Sequence, residues 1–461
     1  MPKLDLQHIA DAVGGSIHGS TGDPASVHAG GYTFDSRQVG TGDLFFALQG
    51  EERDGHAFVE DACNRGAAGA VVERVIPGLP DGFVQIVVRR SLDALQDLAR
   101  EVREHIGVPV VAISGSNGKT TTKEMLAAIL SDKMKVHKSP GNYNNHIGVP
   151  ISILSTDEDT DVLIVELGSN HRGEIAKLSD ITAPTLAVIT NVGRAHLGYF
   201  GSLTAIAQEK TDLIRHMPPG GRGVVNGDDE DLLAALGDVA VDITRFGVGE
   251  GLEFRAVDIT AGLTAGAKFR IDGVEVSLGA PGIHNVYNAL AAMAAAATLG
   301  VSLAQAARSL AGFKPVRTKT FSASGMTVID DSYNANPDSI QAALALLADF
   351  KDKRRVFVMG EMLELGDVSP RLHHEVGGAI ASYGVDVLVG IGGLTRQATV
   401  GALAGGMPAD HVFFFESKAE ARASLKSILS PGDVILVKGS RGAGLEEICA
   451  FLAEETVKER T

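Results

Sequence analysis

The chain has 461 residues, with 41 Lys and Arg against 57 Asp and Glu, 55 Gly, two Cys and no Trp; at roughly 150 residues per domain this suggests about three domains, each able to bury a core. A hydrophobic fraction of 44% with 21% charged residues excludes general disorder. The net charge of −16 argues against nucleic-acid or anionic-membrane binding, while leaving room for a local cationic pocket that takes an anionic small molecule.

The opening run MPKLDLQHIADAVGG carries Asp5 and Asp11 and lacks the apolar centre of a signal peptide. Residues 1–84 mix short strand-like runs (DLFFAL, GAVVE, VQIVV) with Gly-rich turns, which predicts a small mixed α/β domain. From 85 to 315, VPVVAIS, TTTKEMLAAIL, DVLIVELG and TLAVITNV alternate strand and helix patterns, so a parallel sheet with crossover helices is expected. Residues 246–280 read as a small antiparallel addition. Residues 289–307, Ala-rich but broken by Thr298, Gly300, Ser302 and Gln305, read as a buried helix rather than a span. From 316 to 461 the alternation restarts with MTVID, RVFVMG, VDVLVGIG and DVILVKG, a second doubly wound, Rossmann-like α/β unit. The acidic run from Asp157 to Asp161 lacks the glycine of a calcium loop and reads as solvated. Cys63 and Cys449 form neither a disulfide scaffold nor a metal cluster and suit a reducing cytosol. The expectation is a cytoplasmic protein with no membrane insertion.

The strongest chemical signal is VVAISGSNGKTTTKEM. An apolar strand runs into Gly115, Ser116, Asn117, Gly118, Lys119 and Thr120, then through Thr121 into a helical pattern. Glycines let backbone N–H groups turn toward phosphate oxygens, and a new helix presents its positive end there. Lys119 can set a point charge against the β- and γ-phosphates, and the Thr120 hydroxyl can ligate Mg2+. Ile113 stands where the first glycine of the common Walker spacing would fall. A Gly-rich turn with a surface lysine is the competing reading; strand, loop and helix in this order favour nucleotide binding.

Companions lie after later strands, where open α/β sheets collect ligands. Glu166 ends DVLIVELG and is placed to hold Mg2+. His196, after TLAVITNVGRA, reads as a second metal ligand or as a structural histidine. Lys210 in SLTAIAQEKTDLI is, taken alone, a solvated lysine, and Asn142, Asn144 and Asn145 of PGNYNNHIGVP are, taken alone, turn formers.

Taken together, DSRQVGTGDLFFALQGEERDGHAF (35–58), GSNGKTTTKEM (115–125), GNYNNHIGVP (141–150), ELGSNHRGEI (166–175), NVGRAHL (191–197), GIHNVYNALAA (282–292), DDSYNANPDSI (330–340), GEMLELGD (360–367) with His373, and KGSRGAGLEEI (438–448) resemble the Mur ligase family over nearly the whole chain. Within it, DDSYNANP and GNYNNHIGVP point to the member that adds D-alanyl-D-alanine. The resemblance implies an ATP-dependent ligase that joins D-alanyl-D-alanine to UDP-MurNAc-tripeptide through an acyl phosphate, giving the pentapeptide precursor of peptidoglycan and so serving cell-wall synthesis, cell shape and division.

The resemblance also implies roles. Ser36 and Arg37 would hold the uridine diphosphate end, against a plain reading as a capped turn with a surface ion pair. Gly115 to Thr121 would bind ATP, with Thr120 and Glu166 on one Mg2+ and His196 on a second; Lys210 matches a lysine that the family carries as a carbamate bridging metal. Asn144 and Asn145 would contact substrate. Asn288, Asp331, Tyr333, Asn334 and Asn336 would enclose adenine and ribose, and Lys438, Ser440 and Arg441 would meet phosphate or the incoming peptide. The family is usually monomeric. An acyl phosphate must be shielded from water, so closure of the last domain over the site is expected, with a hinge near 315. One segment departs: the family has Gly-Arg after a Phe-x-Pro-Val-like run, whereas FKPVRTKTF puts Thr318 and Lys319 there, with Arg317 beside them. A sister ligase adding lysine or diaminopimelate, a folylpolyglutamate synthase and a non-catalytic nucleotide-binding protein are the alternatives; DSYNANP disfavours the first, the N-terminal motifs the second, and the full set Lys119, Glu166, His196 and Lys210 the third.

Overall fold

The computed structural model describes residues 3–50, 52–262, 266–314 and 316–458. The first sheet orders Ser16–His18, Val84–Val87, Gly69–Val72, Leu44–Phe46 and Tyr32–Thr33, parallel except at the Ser16–His18 edge. Val84–Val87 carries this sheet past residue 84, where the sequence pattern placed a boundary. The helix Ser91–Ile106 then buries Ala94, Leu95, Leu98, Ala99 and Val102, spaced along one helical face. These residues belong to a core that runs unbroken from Leu6, Phe46 and Ile86 to Val110, Leu163 and Val165 of the central sheet.

The central sheet has seven strands, all parallel, in the order Phe254–Arg255, Asp242–Gly247, Arg222–Asn226, Leu186–Ile189, Val110–Ser114, Val162–Glu166 and Val136–Lys138. The three strands Leu186–Ile189, Val110–Ser114 and Val162–Glu166 are buried along their full length, as a sheet covered on both faces requires. Ile113 stands in register with Glu166 on one side and Val188 on the other. The segments after these three strands therefore emerge side by side at the carboxyl edge.

The antiparallel addition is smaller than the sequence suggested. Asp242–Gly247 and Phe254–Arg255 extend the central sheet in parallel; only Val257–Thr260, Ala267–Ile271 and Val274–Leu278 pair antiparallel. The Ala-rich stretch is two helices. Ile283–Thr298 packs an almost wholly buried alanine face against Lys119–Leu130; the chain turns at Gly300, φ 86°, and Ser302 caps Leu303–Leu310. Among the described residues, no helix is long and apolar enough to cross a membrane.

The last sheet orders Lys319–Ala323, Met326–Asp330, Val434–Lys438, Arg355–Gly360, Val387–Ile391 and Val412–Phe415, parallel apart from its first pair. That pair is a hairpin turning on Ser324 and Gly325, both at positive φ. Lys319–Ala323 is mostly exposed, so no apolar run marks it in the sequence. Residue 315, where a hinge was expected, lies outside the described residues.

Because the first two sheets share one core, Leu98→Ala is expected to cost about 2–5 kcal/mol and to lower one cooperative transition that reports both sheets. Urea unfolding followed by fluorescence and by circular dichroism checks this; separate transitions for the two sheets would contradict it.

Candidate functional site

The strand Val110–Ser114 delivers the loop 115–118 to the carboxyl edge, and the helix Lys119–Leu130 starts at its end. Two glycines are obligatory there. Gly115 has φ +140°, and a Cβ on it would lie 2.0 Å from Thr190 Oγ1; Gly118 has φ +83°, and a Cβ would lie 2.1 Å from Asn288 Oδ1. The neighbouring loop grips the first one: Ser116 N donates to Asn191 O at 2.9 Å, Asn117 N to Asn191 Oδ1 at 2.9 Å, Thr190 Oγ1 to Asn117 O at 2.6 Å, and Gly193 N to Ser116 Oγ at 2.9 Å. Lys119 Nζ folds back onto Gly115 O at 2.6 Å. Burial lowers its pKa, opposed by Glu166 and assisted by Arg317.

Glu166, 1% exposed, is the carboxylate of this edge. Its Oε2 accepts from Thr120 Oγ1 at 2.6 Å and its Oε1 from Asn144 Nδ2 at 2.9 Å. Arg317 Nη2 donates to the same Thr120 hydroxyl at 2.6 Å, its guanidinium lying 3.8 Å from the Tyr333 ring centroid. Lys210 is buried, contrary to the solvated reading; its Nζ donates to Ser169 Oγ at 2.8 Å. Burial, then the charge of Lys119, pushes its pKa down to about 7. His196, held at φ 55°, pairs through Nδ1 with Glu364 of the last sheet's loop, and Gly198 N donates to Glu364 O at 2.9 Å. The hydrogen bond from His196 lowers the Glu364 pKa.

Other contacts reach the last sheet. Arg194 donates from Nε and Nη2 to Asp338 Oδ1 at 3.0 and 2.7 Å and from its backbone N to Oδ2 at 2.7 Å, charge-assisted bonds that engage both oxygens. Asn336 caps the helix Pro337–Leu347 and donates to Asn117 Oδ1 at 2.8 Å. Lys438 Nζ ties Asp331 Oδ2 at 2.6 Å to Asn334 O at 2.9 Å.

Between the two sheets opens a cavity of about 590 Å³ lined by Gly118, Thr120, Asp228, Tyr287, Arg317 and Lys438, among others. His284 faces it. Its Nε2 lies 3.1 Å from Asn285 Nδ2, whereas its buried Nδ1 has no hydrogen-bond partner. A buried donor without a partner is costly, and a ligand with a hydrogen-bond acceptor would satisfy it. Glycine-framed backbone, Lys119 and Arg317 suit phosphates; the hydroxyl of Thr120 and the carboxylate of Glu166 are the hard oxygen donors that Mg2+ takes.

The structure gathers Lys119, Thr120, Asn144 and Glu166 at one point, and Asn288 and Asp331 at the cavity wall. Tyr333 lies under Arg317 and 5.2 Å from the guanidinium of Arg441, and Asn334 Oδ1 accepts from Ala335 N at 2.9 Å. Ser440 Oγ accepts from Leu363 N at 2.9 Å. Asn145 Oδ1 accepts from Ile147 N at 3.1 Å and Gly148 N at 2.8 Å, where the helix Gly148–Leu154 begins. Ser36 is buried, and exposed Arg37 pairs with Asp35 at 2.7 Å, away from the cavity. Sequence reasoning passed over His284 and Glu364, although both lie in quoted segments, and over Arg194, whose partner is 144 residues away.

Residues 113–296 match the Mur ligase middle domain, 316–441 the Mur ligase, glutamate ligase domain, and 28–103 the Mur ligase family, catalytic domain. The chain is 36% identical over 460 residues to the UDP-N-acetylmuramoyl-tripeptide--D-alanyl-D-alanine ligase of Bacillus subtilis, covering 98% of this chain and 99% of that protein. It superposes on the crystal structure of MurF from Acinetobacter baumannii with a TM-score of 0.90 at 34% identity, covering 98% and 99% of the two chains. MurF ligase from Thermotoga maritima, solved in complex with ADP, gives 0.81 at 28% identity over 93% and 98%.

Gly118→Ala is expected to leave the fold intact while weakening ADP binding by at least roughly tenfold, since the methyl group displaces Asn288 and the left-handed backbone resists alanine by about 1–2 kcal/mol. Calorimetric titration with ADP, beside a melting curve, measures both.

Proposed function

The chain belongs to the Mur ligase family, and we infer that it is the ATP-dependent ligase that joins D-alanyl-D-alanine to UDP-MurNAc-tripeptide, producing the pentapeptide precursor of peptidoglycan. Full-length relatives of that activity favour it over a sister ligase that adds one amino acid. The observation that carries the chemistry is the convergence of Lys119, Thr120, Glu166 and Arg317 beside the cavity.

The terminal carboxylate of the tripeptide attacks the γ-phosphorus of ATP; an O–P bond forms, the bond to ADP breaks, and an acyl phosphate results. The amine of D-alanyl-D-alanine then attacks the acyl carbon, loses a proton, and inorganic phosphate leaves. Three anionic groups must meet, so positioning and charge neutralisation dominate the barrier. Lys119, released from Gly115 O, sets its charge on the transferring phosphoryl group. Arg317 stands where a planar clamp is needed and replaces the arginine that the family pattern puts at Lys319; lysine would be a poorer clamp. Asn288, Asp331 and Asn336 border the nucleoside end, with Tyr333 and Asn334 shaping that loop. Gly115, Ser116, Asn117, Gly118 and Thr121 contribute the phosphate cradle. Asn144 orients Glu166, and Asn145 braces the same loop. Lys438, Ser440 and Arg441 meet phosphate or the incoming dipeptide, while Ser36 and Arg37 take the uridine diphosphate end.

Thr120 and Glu166 would hold one Mg2+, and His196 with Lys210 a second; bound Mg2+ offsets charge on the phosphoryl oxygens. Lys210 fits the role of a carbamate. A pKa near 7 leaves a large neutral fraction at neutral pH, so its lone pair attacks CO2, forming the N–C bond and releasing a proton. An ammonium thus becomes a carboxylate. The enzyme acts as a monomer in the cytoplasm, and the contacts between Arg194 and Asp338 and between His196 and Glu364 support closure of the last domain over the site.

Phosphate release with ATP·Mg2+, UDP-MurNAc-tripeptide and D-alanyl-D-alanine, each omitted in turn, tests the reading. Release should require all three and yield a pentapeptide by mass; release with a single amino acid in place of the dipeptide would point to a sister ligase. Lys119→Ala should lower kcat by roughly 10²–10³-fold.

Lys210 has its folded pKa below its unfolded value, so the folded state favours the neutral amine and carbamate formation grows as pH rises through about 7. With ¹³C-bicarbonate, a carbamate resonance should rise between pH 6 and 8 and be absent in Lys210→Ala; a pH-independent signal would exclude this residue.

A further inference from the structure

Lys123 takes no part in the chemistry above. It lies one turn beyond Lys119 on the helix Lys119–Leu130, with a wholly buried side chain. A buried ammonium has three donors to satisfy, and the partners of this one are specific. Nζ donates to Ser139 O at 2.7 Å and Gly141 O at 3.1 Å, and stands 3.9 Å from Glu166 Oε2. Both carbonyls belong to the segment that carries Asn144. Within it, Ser139 Oγ accepts from Glu166 N at 3.1 Å, Asn144 Nδ2 donates to Glu166 Oε1 at 2.9 Å, and Gly168 N donates to Asn144 O at 2.7 Å. Lys123 therefore bolts the phosphate-loop helix to the segment that grips Glu166 from the other side, while facing the carboxylate itself.

We propose that Lys123 is a positioning residue for a divalent cation at Thr120 and Glu166: it pins residues 139–144 so that Glu166 is held from both sides toward the Thr120 hydroxyl. The inference rests on the reading of Thr120 and Glu166 as the cation-binding pair. Partners that orient a metal ligand act on cation affinity more than on the remainder of the ligand, which separates this role from a purely structural one.

The test is Mn2+ binding to the full-length protein saturated with ADP, read by electron paramagnetic resonance, beside ADP binding without metal. Lys123→Met should weaken Mn2+ by roughly tenfold and leave metal-free ADP affinity within about twofold. Asn144→Ala should weaken Mn2+ as well, and the double variant should be no worse than the weaker single, because both act through Glu166. Additive losses, equal losses of ADP and Mn2+, or a Mn2+ change under about threefold would overturn the proposal. If Lys123→Met does not fold, Lys123→Gln, which keeps a donor but not the charge, takes its place with the same criteria. Glu166→Gln separates the two readings. If it leaves Mn2+ affinity unchanged, the cation pair itself is wrong; if it alone weakens Mn2+, only the role of Lys123 falls.

Discussion

A carboxylate with almost no solvent exposure sets the terms for the rest of this molecule. Glu166 is buried at the end of a parallel strand, where an unpaired anion would be prohibitive. Its partners come from three places: Thr120 at the start of the phosphate-loop helix, Asn144 from the segment after Val136–Lys138, and Lys123 one helical turn on. They meet only because Val110–Ser114 and Val162–Glu166 pair in a register that ends them together. A slip of that register would move Glu166 to the other face of the sheet. The carboxylate and the phosphate loop are thus one structural unit.

The same unit reaches the last sheet. Residues 190–196 clamp the phosphate loop through Thr190, Asn191 and Gly193 and present Arg194 to Asp338 and His196 to Glu364. Asn336 bonds Asn117 of the loop itself, and Arg317 bonds Thr120. Contacts that shape the phosphate cradle are therefore shared with contacts that hold the last sheet against it, which couples domain apposition to the geometry at the phosphate. Overall charge is a poor guide to this region: a chain of net charge −16 lines its cavity with Arg317 and Lys438, and the local field decides what binds.

Local order carried most of what the sequence disclosed. The alternation of apolar runs and helical patterns marks the parallel sheets, because strands buried on both faces are continuously apolar; the glycine spacing marks the phosphate loop, because only glycine fits beside Thr190 and Asn288. What stayed hidden is non-local or lacks an apolar imprint. The edge strand Lys319–Ala323 is exposed, and Asp242–Gly247 joins the central sheet through pairing that no local pattern encodes. Glu364 finds His196 across 168 residues, and Arg317 finds Thr120 across 197. At FKPVRTKTF, counting positions makes Lys319 the odd residue, whereas in space it is Arg317 that reaches the Thr120 hydroxyl. Lys210 reads as a surface lysine because its helix is amphipathic; only packing against Phe200 and Ser169 shows that it points inward.

Two lysines share this site, and their surroundings separate their work. Lys119 is desolvated, which lowers its pKa; the charge of Glu166 opposes that shift and the charge of Arg317 adds to it. Lys210 is desolvated too, and the largest single charge effect on it comes from Lys119, ahead of Glu209 and then Glu174. The ammonium of one therefore helps to strip the proton from the other. A lysine left neutral is a nucleophile rather than a counter-ion, and the carbamate proposed for Lys210 draws on that property.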